Sequence, residues 1–369
     1  MPIVITLAAA GALFLLQQLL YKLLWSKGLF ASVDLGRDRY IFEGEKIEVE
    51  ETLVNDKWLP LPWVYFKFQL SNNGKPAIYQ SDMFSIANRR RIRRKRKFTL
   101  PARGVWTIGE VDLVSHDLFL SRTYSKVDRT YPGSVTVYPR LIDADEMQLS
   151  YEQLSGDIVS RRFSLEDPYL FKGIRDYQPT DPMKSVNFRA SARTGDWKVN
   201  VHETTVSQRV CLIVGMDKST RYYDPVVYEQ ALRIAGTLAA LYERRGVPVS
   251  LWSNGADSLQ GTAMEVEAGC GEDHIYDILG ALARMDAEHE EGSSVEKLEQ
   301  LAAEPERDTQ YVLISPAYRR GMREAYEALH AAADSTLWIM PITVAESGDT
   351  YFEPHSWPEE VPNFRFWIV

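Results

Sequence analysis

Residues Gly173–Val199 read GIRDYQPTDPMKSVNFRASARTGDWKV, and the chain changes character on either side of them. Before this stretch apolar residues recur at every second position. After it, apolar runs alternate with segments whose apolar residues recur every three to four. The first period belongs to strands with one buried face, the second to helices packed on a sheet. Inside the stretch, Tyr177-Gln178-Pro179-Thr180-Asp181-Pro182 reads as a loop ending in a helix start, with Asp181 as N-cap and Pro182 as first helical residue. The helix is expected from Pro182 to about Arg193. Arg193 complements the dipole of the last turn and Gly195 stops the helix. Trp197–Glu203 then alternates Trp197, Val199 and Val201 against Lys198, Asn200 and His202, as a strand does.

Upstream, Ile47, Val49 and Leu53 share one face of Lys46–Leu53, with Lys46, Glu48 and Glu50 on the other. In Val64–Leu70, Val64, Phe66, Phe68 and Leu70 alternate with Tyr65, Lys67 and Gln69. These are half-buried antiparallel strands. Asn55-Asp56, the Pro60 and Pro62 region and Asn72-Asn73-Gly74 supply the turns. Arg91–Leu100, Gly104–Val114 and Ser134–Tyr138 are further strands. Many short strands without a helix predict an antiparallel β-sandwich, immunoglobulin-like, over 31–140.

Downstream, the run Gln208–Met216 has the continuous apolar character of a strand buried on both faces of a parallel sheet. Asp224-Pro225 opens a helix in which Val227, Ala231, Ile234, Leu238 and Leu241 line one face, closed by Gly246. Pro248–Trp252, Gln310–Ser315 and Thr336–Val344 read as strands; His274–Met285, Ser294–Ala303 and Gly321–Ala333 read as helices. The alternation predicts a mostly parallel, doubly wound α/β domain over 205–345. Asp286–Glu291 reads as a solvated acidic loop. Phe364, Phe366, Trp367 and Val369 are too apolar to hang free, and predict a final packed strand.

The chain has 369 residues, 45% hydrophobic and 25% charged, with a net charge of −9. Residues 31–140 hold 19 Lys and Arg against 13 Asp and Glu; residues 141–369 hold 21 against 38. The two halves therefore face different partners. Cys211 and Cys270 are too few for a disulfide framework, and the six histidines form no zinc-binding spacing. At the amino terminus, Ile3–Tyr21 contains no charged residue. At 1.5 Å per residue it spans roughly 28 Å, close to a hydrocarbon core of about 30 Å. Lys22, Trp25 and Lys27 follow, as snorkelling amines and an interfacial ring would. A signal peptide would carry its positive charge before the apolar run. The expectation is a membrane anchor and juxtamembrane segment over 1–30, single-pass in the cell membrane. The following lysines place the bulk of the chain in the cytoplasm.

The most basic segment is Arg89, Arg90, Arg91, Arg93, Arg94, Lys95, Arg96 and Lys97, interrupted by Ile92. Three readings stand: a solvated strand whose charges guard a sheet edge, a contact with anionic lipid, or a contact with nucleic acid or another polyanion. The interleaved aromatics of a nucleic-acid stacking platform are lacking, so no specific nucleic acid is expected. The signature stretch also has two readings. Arg175 and Arg193 pair with Asp176, Asp181 or Asp196 as structural clamps, or the cluster holds an anion or partner at a helix N-terminus.

The residues Arg175, Tyr177, Asp181, Asn187, Ser191, Ala192 and Arg193 resemble the signature of the domain of unknown function (DUF) 58 family, R-x-Y-x-x-G-D-x-x-R-x-I-[DN]-W-x-x-[ST]-A-R. Thr180, Lys184 and Phe188 stand where glycine, arginine and tryptophan are usual. Arg103-Gly104 with Trp106, and Ser115-His116-Asp117-Leu118-Phe119, resemble the family's RG-x-Y … D-P-F-G-L region without its proline and glycine. The resemblance implies that 141–204 is a linker carrying the motif, that 205–345 is a von Willebrand factor A-like domain, and that 346–369 is a tail. Such domains hold a metal through D-x-S-x-S after the first strand. Here Asp217 and Ser219 are followed by Arg221, a cation where a hydroxyl ligand belongs, and Leu313-Ile314-Ser315-Pro316 lacks the later acid. No metal and no cofactor are therefore expected; Asp217 and Ser219 read as capping or loop residues. The candidate interaction residues are Arg175, Asp176, Tyr177, Asp181, Lys184, Asn187 and Arg193.

The chain has no nucleophile elbow, no phosphate loop and no acid pair with a supporting base. The expectation is a non-enzymatic, membrane-anchored scaffold. By resemblance, its partner is a MoxR-type AAA+ ATPase and its role lies in assembling or maintaining membrane or envelope complexes. The alternatives are a lipid- or polyanion-binding module built on 89–97, or a hydrolase using Asp181 or Asp217.

Overall fold

A computed structural model of the chain describes residues 2–36, 41–128, 133–142, 166–177, 186–204, 209–218, 224–317, 320–342 and 361–368. It is a multi-sheet, mixed α/β protein that begins with an apolar helix, α1 (Pro2–Leu24). Its contacts divide into two compact units. The first holds Met1–Leu141 with Asn254–Met264 and Tyr276–Glu291; the second holds Ile142–Ser253 with Glu265–Ile275 and Gly292–Val369.

In the first unit, β1 (Leu29–Asp34), β3 (Lys46–Asn55) and β6 (Arg90–Thr99) form one antiparallel sheet. A second sheet runs β2 (Ile41–Phe42), β9 (Ser134–Tyr138), β7 (Gly104–His116), β4 (Leu61–Asn72), β5 (Lys75–Ile86), with β8 (Thr123–Asp128) also on β7. Period-two burial decides which residues the sheets share. Ile47, Val49, Leu53, Val64, Phe66, Phe68 and Leu70 all enter one core together with Trp106, Leu113 and Val137. The Asn73-Gly74 turn between β4 and β5 has φ of 46° and 76°, the two left-handed residues that a tight hairpin requires. One pairing departs from the antiparallel expectation: β2 runs parallel to β9, Ile41 opposite Val137.

In the second unit, β10 (Glu166–Asp176) pairs antiparallel with β11 (Lys198–Thr204), and α2 (Phe188–Thr194) lies between them in sequence. The remaining strands are β12 (Arg209–Val214), β13 (Val249–Asp257), β14 (Ala263–Gly269), β15 (Met285–Glu290), β16 (Thr309–Ile314), β17 (Ser335–Ile342) and β18 (Phe364–Ile368). The helices are α3 (Pro225–Glu243), α4 (Glu272–Arg284), α5 (Ser294–Ala303) and α6 (Arg320–Ala332); of these elements β15, α4 from Tyr276 onward, β13 from Asn254 onward and the first two residues of β14 belong to the first unit. The strand order is β14-β13-β12-β16-β17-β18, with β15 on β13. β12 runs parallel to both β13 and β16, and the parallel pairing continues through β17 to β18. Every described side chain of β16 is buried, as its unbroken apolar run requires. Asp224 caps α3 as expected, its carboxylate accepting from Val226 N–H at 2.9 Å. The tail packs as β18, with Phe364 against Trp338.

Two expectations are corrected. The motif helix does not run through Val186 and Asn187. Val186 forms a bridge with Val199, and Asn187, at φ −90° and ψ 88°, caps a helix that starts at Phe188. Asn187 is thus the capping side chain of this helix; Asp181 and Pro182, the expected cap and first helical residue, lie outside the described residues. The acidic segment after α4 is a strand, β15, antiparallel to β13. Met285 and Ala287 are buried in it while Glu288 and Glu290 face solvent; acidic content hid a period-two pattern.

Candidate functional site

The signature stretch is stitched together by its own polar groups. The Asn187 side chain accepts from Ala190 N–H at 2.9 Å. Ser191 donates its hydroxyl to the Asn187 carbonyl at 2.8 Å and accepts from Lys198 N–H at 2.9 Å. Gly195, at φ 82°, closes α2 by donating to the Ser191 carbonyl. Asp176 meets the Lys198 ammonium, and that pairing raises the lysine pKa above its usual value. Arg175 donates to the Asp176 carbonyl at 3.0 Å. Arg193 is exposed and makes no ion pair among the described residues. Asp181 and Lys184 lie outside them. The stretch thus spends Asn187 and Ser191 on holding its shape.

What it presents outward is aromatic. The rings of Tyr177 and Phe188 each lie 6.3 Å from the Trp197 ring. Phe188 is 65% exposed and Trp197 52%. Arg175, Arg189 and Arg193 are also exposed. Aromatic rings and arginines are the residue types enriched where proteins dock.

The basic run forms β6, and its partners are carboxylates. On the outer face Arg93 meets Glu50 at 2.8 Å and Lys95 meets Glu48 at 2.5 Å. On the inner face Arg94 meets Glu51 at 2.5 Å and Asp82 at 2.8 Å, and Arg96 meets Asp82 at 3.0 Å. Glu51 is 1% exposed, and the Arg94 guanidinium stacks 4.4 Å from the centre of the Phe84 ring. Burial pushes the Asp82 carboxyl up, but the Gln80 hydrogen bond and the two guanidiniums outweigh it and hold its pKa below the usual value. Arg89, Arg90, Arg91 and Lys97 remain exposed.

A third cluster gathers at the carboxyl ends of β12 and β16, beside the strand where the order reverses. Open α/β sheets bind ligands at such a place. Asp217 is 5% exposed, and its carboxylate accepts from Ser294 N–H at 3.2 Å, at the N-terminus of α5. That helix end offsets part of the cost of burying the charge. Asp217 Oδ2 and Ser294 Oγ are buried and have no hydrogen-bond partner among the described residues. A side chain at Gly215 would meet Ser315 Oγ at 2.9 Å and Ser294 Oγ at 3.0 Å, so only glycine lets the hydroxyls approach. The oxygens are of the hard type a divalent ion takes, but they bring a single described carboxylate. Ser315 stands where the resemblance asks for an acid; Ser219 and Arg221 lie outside the described residues. Among the described residues no three His, Cys, Asp or Glu stand together.

Reading from the sequence overlooked Ser294 and Ser315, whose only signal is their place after an apolar strand or before a helix. It noted Arg103 and Asp117 as pattern residues without a role. The Arg103 guanidinium is buried and donates to the carbonyls of Leu282, Ala283 and Met285 at 2.8, 3.1 and 2.7 Å, at the end of α4. Asp117 is fully buried and shapes the turn from β7 to β8, accepting from the hydroxyl and N–H of Ser121.

Residues 173–350 match the family described as protein of unknown function DUF58. The match takes in the signature stretch and most of the second unit. It leaves out the strands upstream, to which the resemblance read from the sequence had been extended. No curated protein matches the chain. Among solved structures, the CARDB domain of a Pyrococcus furiosus protein is 13% identical over 30% of this chain and 94% of its own length, with a TM-score of 0.21. Spo0M, a sporulation control protein from Bacillus subtilis, is 16% identical over 34% and 56%, at 0.19. A glycosyl hydrolase family 2 member from Bacteroides cellulosilyticus is 8% identical over 87% and 36%, at 0.22. At these scores none of them defines the fold or the activity of this chain.

Proposed function

We propose, for a chain whose residues 173–350 carry the DUF58 pattern, a membrane-anchored scaffold without enzymatic activity. Its partner docks on the exposed Tyr177–Phe188–Trp197 face. The observation that carries this reading is that face: two large aromatic rings left open to solvent, flanked by arginines, on a motif in which Asn187 and Ser191 are engaged in holding the shape. The anchor is α1, whose Ile3–Leu24 segment is long and apolar enough to cross a membrane and is almost wholly unburied. Lys22 and Lys27 after it favour a cytoplasmic location for the body of the chain. An immunoglobulin-like first unit and a von Willebrand factor A-like second unit fit this role, since the latter architecture presents a binding surface at the strand ends where Asp217 sits. The resemblance supports a MoxR-type AAA+ ATPase as partner.

The experiment is affinity purification of the full chain from native membranes, beside a Phe188→Ser, Trp197→Ser double variant. The wild type is expected to resist carbonate extraction and to bring the ATPase with it; the variant is expected to stay in the membrane and lose the ATPase. An ATPase absent from the wild type, or retained in full by the variant, refutes the docking face. Release of the wild type by carbonate refutes the anchor.

A further inference from the structure

The apolar helix does not leave the body of the first unit at its last residue. Its final turns are docked: Tyr21 and Trp25 belong to the core shared by the β-sheets, and the Tyr21 hydroxyl donates to the Pro60 carbonyl. The docked side continues back to Phe14. There the turn between β7 and β8 meets the helix, with the Phe119 ring 5.5 Å from the Phe14 ring. One turn on, Gln18 donates to the Ser121 hydroxyl at 3.0 Å. Phe14 lies ten residues before the end of α1, which at 1.5 Å per residue is about 15 Å. That depth is about half of a hydrocarbon core of about 30 Å. If α1 sits in a bilayer, the turn that rests on Phe14 sits in it too.

The turn is built for such a place. Its tip is Leu118-Phe119-Leu120, at 52%, 60% and 59% exposed, three adjacent large apolar side chains open to solvent. They are held out by Asp117, buried beneath them. Its carboxylate accepts from Ser121 N–H at 2.7 Å and from the Ser121 hydroxyl, and its carbonyl accepts from Leu120 N–H at 3.1 Å. Leu120 takes φ 56°, a conformation that costs a leucine energy and is stabilised by these bonds. On the undocked side of α1, Leu16, Leu19 and Leu23 are exposed. Arg122 and Lys22, both exposed, stand beside it with the reach to meet lipid phosphates.

We infer that the Leu118–Leu120 turn is a second membrane element, a wedge that enters the same leaflet as the last turns of α1 and seats the first unit on the lipid. The ligand is the acyl and glycerol region of a bilayer, not a soluble apolar partner. The inference rests on α1 being a membrane anchor, and it places lipid contact at this turn rather than at the basic strand β6.

The test uses the full chain in phosphatidylcholine vesicles containing a minor phosphatidylglycerol fraction. Cys270 is replaced by serine. Burial raises the Cys211 thiol to about 11, so it is slow to react. An environment-sensitive fluorophore is attached at Phe119→Cys, with Leu13→Cys in α1 and Tyr79→Cys on exposed β5 as references. The expected result is blue-shifted emission and quenching by doxyl lipid at 119, comparable to that at 13, with neither at 79. Quenching at 13 without quenching at 119 overturns the wedge and leaves the anchor standing. Quenching at neither overturns both. Quenching at 119 that a soluble apolar peptide abolishes points to a protein partner and also overturns the wedge. As a second readout, Phe119→Ser with Leu118→Ser is expected to leave the melting temperature in detergent unchanged and to increase protease cleavage near the turn in vesicles.

Discussion

Replacing Arg103 with methionine removes the donor on which the end of α4 depends. The guanidinium Nη1 lies 2.7, 2.8 and 3.1 Å from three carbonyls, and its two hydrogens are shared among them. Two charge-assisted bonds at about 1.5–3 kcal/mol each give a loss of about 3–6 kcal/mol. The cation also faces the negative end of a helix dipole, worth up to about 2 kcal/mol when partly buried. Methionine fills the volume of the stem, so the cavity cost is small, and the net expectation is about 4 kcal/mol. For a folded body of this size, that lowers the melting temperature by about 10 °C. Arg103→Lys keeps the charge but offers a compact ammonium instead of a flat fork, and it is expected to recover less than half of the loss. Differential scanning calorimetry of the full chain in detergent measures both variants. An Arg103→Met protein melting within about 2 °C of the parent, or an Arg103→Lys protein indistinguishable from it, would refute the reasoning, because the carbonyls would then be satisfied without the fork.

Three further outcomes follow from the same geometry. Arg94→Met strands Glu51, which is 1% exposed, and is expected to cost about 3–5 kcal/mol, most of it regained in the Glu51→Gln, Arg94→Met double variant; a double-mutant cycle by urea unfolding measures the coupling. Burial, aided by nearby Lys126, lowers the Lys57 pKa to about 8 from 10.5, so above about pH 8 the unfolded chain holds the extra proton and stability rises with pH. That rise, read from melting temperatures between pH 8 and 10, is expected to vanish in Lys57→Met. A Mg²⁺ titration followed by thermal melting is expected to leave the chain unchanged, since the Asp217 cluster brings one described carboxylate; a filled site at a hundredfold excess over its Kd would instead add about 2.7 kcal/mol.

Where structure is decided by neighbours along the chain, it was legible before any coordinates. The apolar amino-terminal helix, the alternation in β3 and β4, the Asp224 cap and the Gly195 stop each rest on a few consecutive residues and stand as read, α1 running three residues past the expected Tyr21 to Leu24. The misreadings arose where two local signals competed. The motif helix was expected to run unbroken to Arg193, yet Val186 is held in a bridge to Val199, and the helix that reaches Arg193 takes its cap from Asn187. Six residues rich in Asp and Glu looked like a loop, yet pairing with β13 drew them into a sheet. The candidate sites divide in the same way. Arg103 and Asp117 could be picked out by pattern, but Arg103 acts on carbonyls some 180 residues away. The charges of β6 are consecutive in sequence and belong to two faces with different carboxylate partners. Ser294 and Ser315 come beside Asp217 only because β12 and β16 are adjacent strands and α5 starts there. Backbone period and capping chemistry are properties of a short segment, so the order of residues settles them. Which distant groups share a buried space depends on how the chain returns on itself, and that is settled only when the sheets and helices close around their cores.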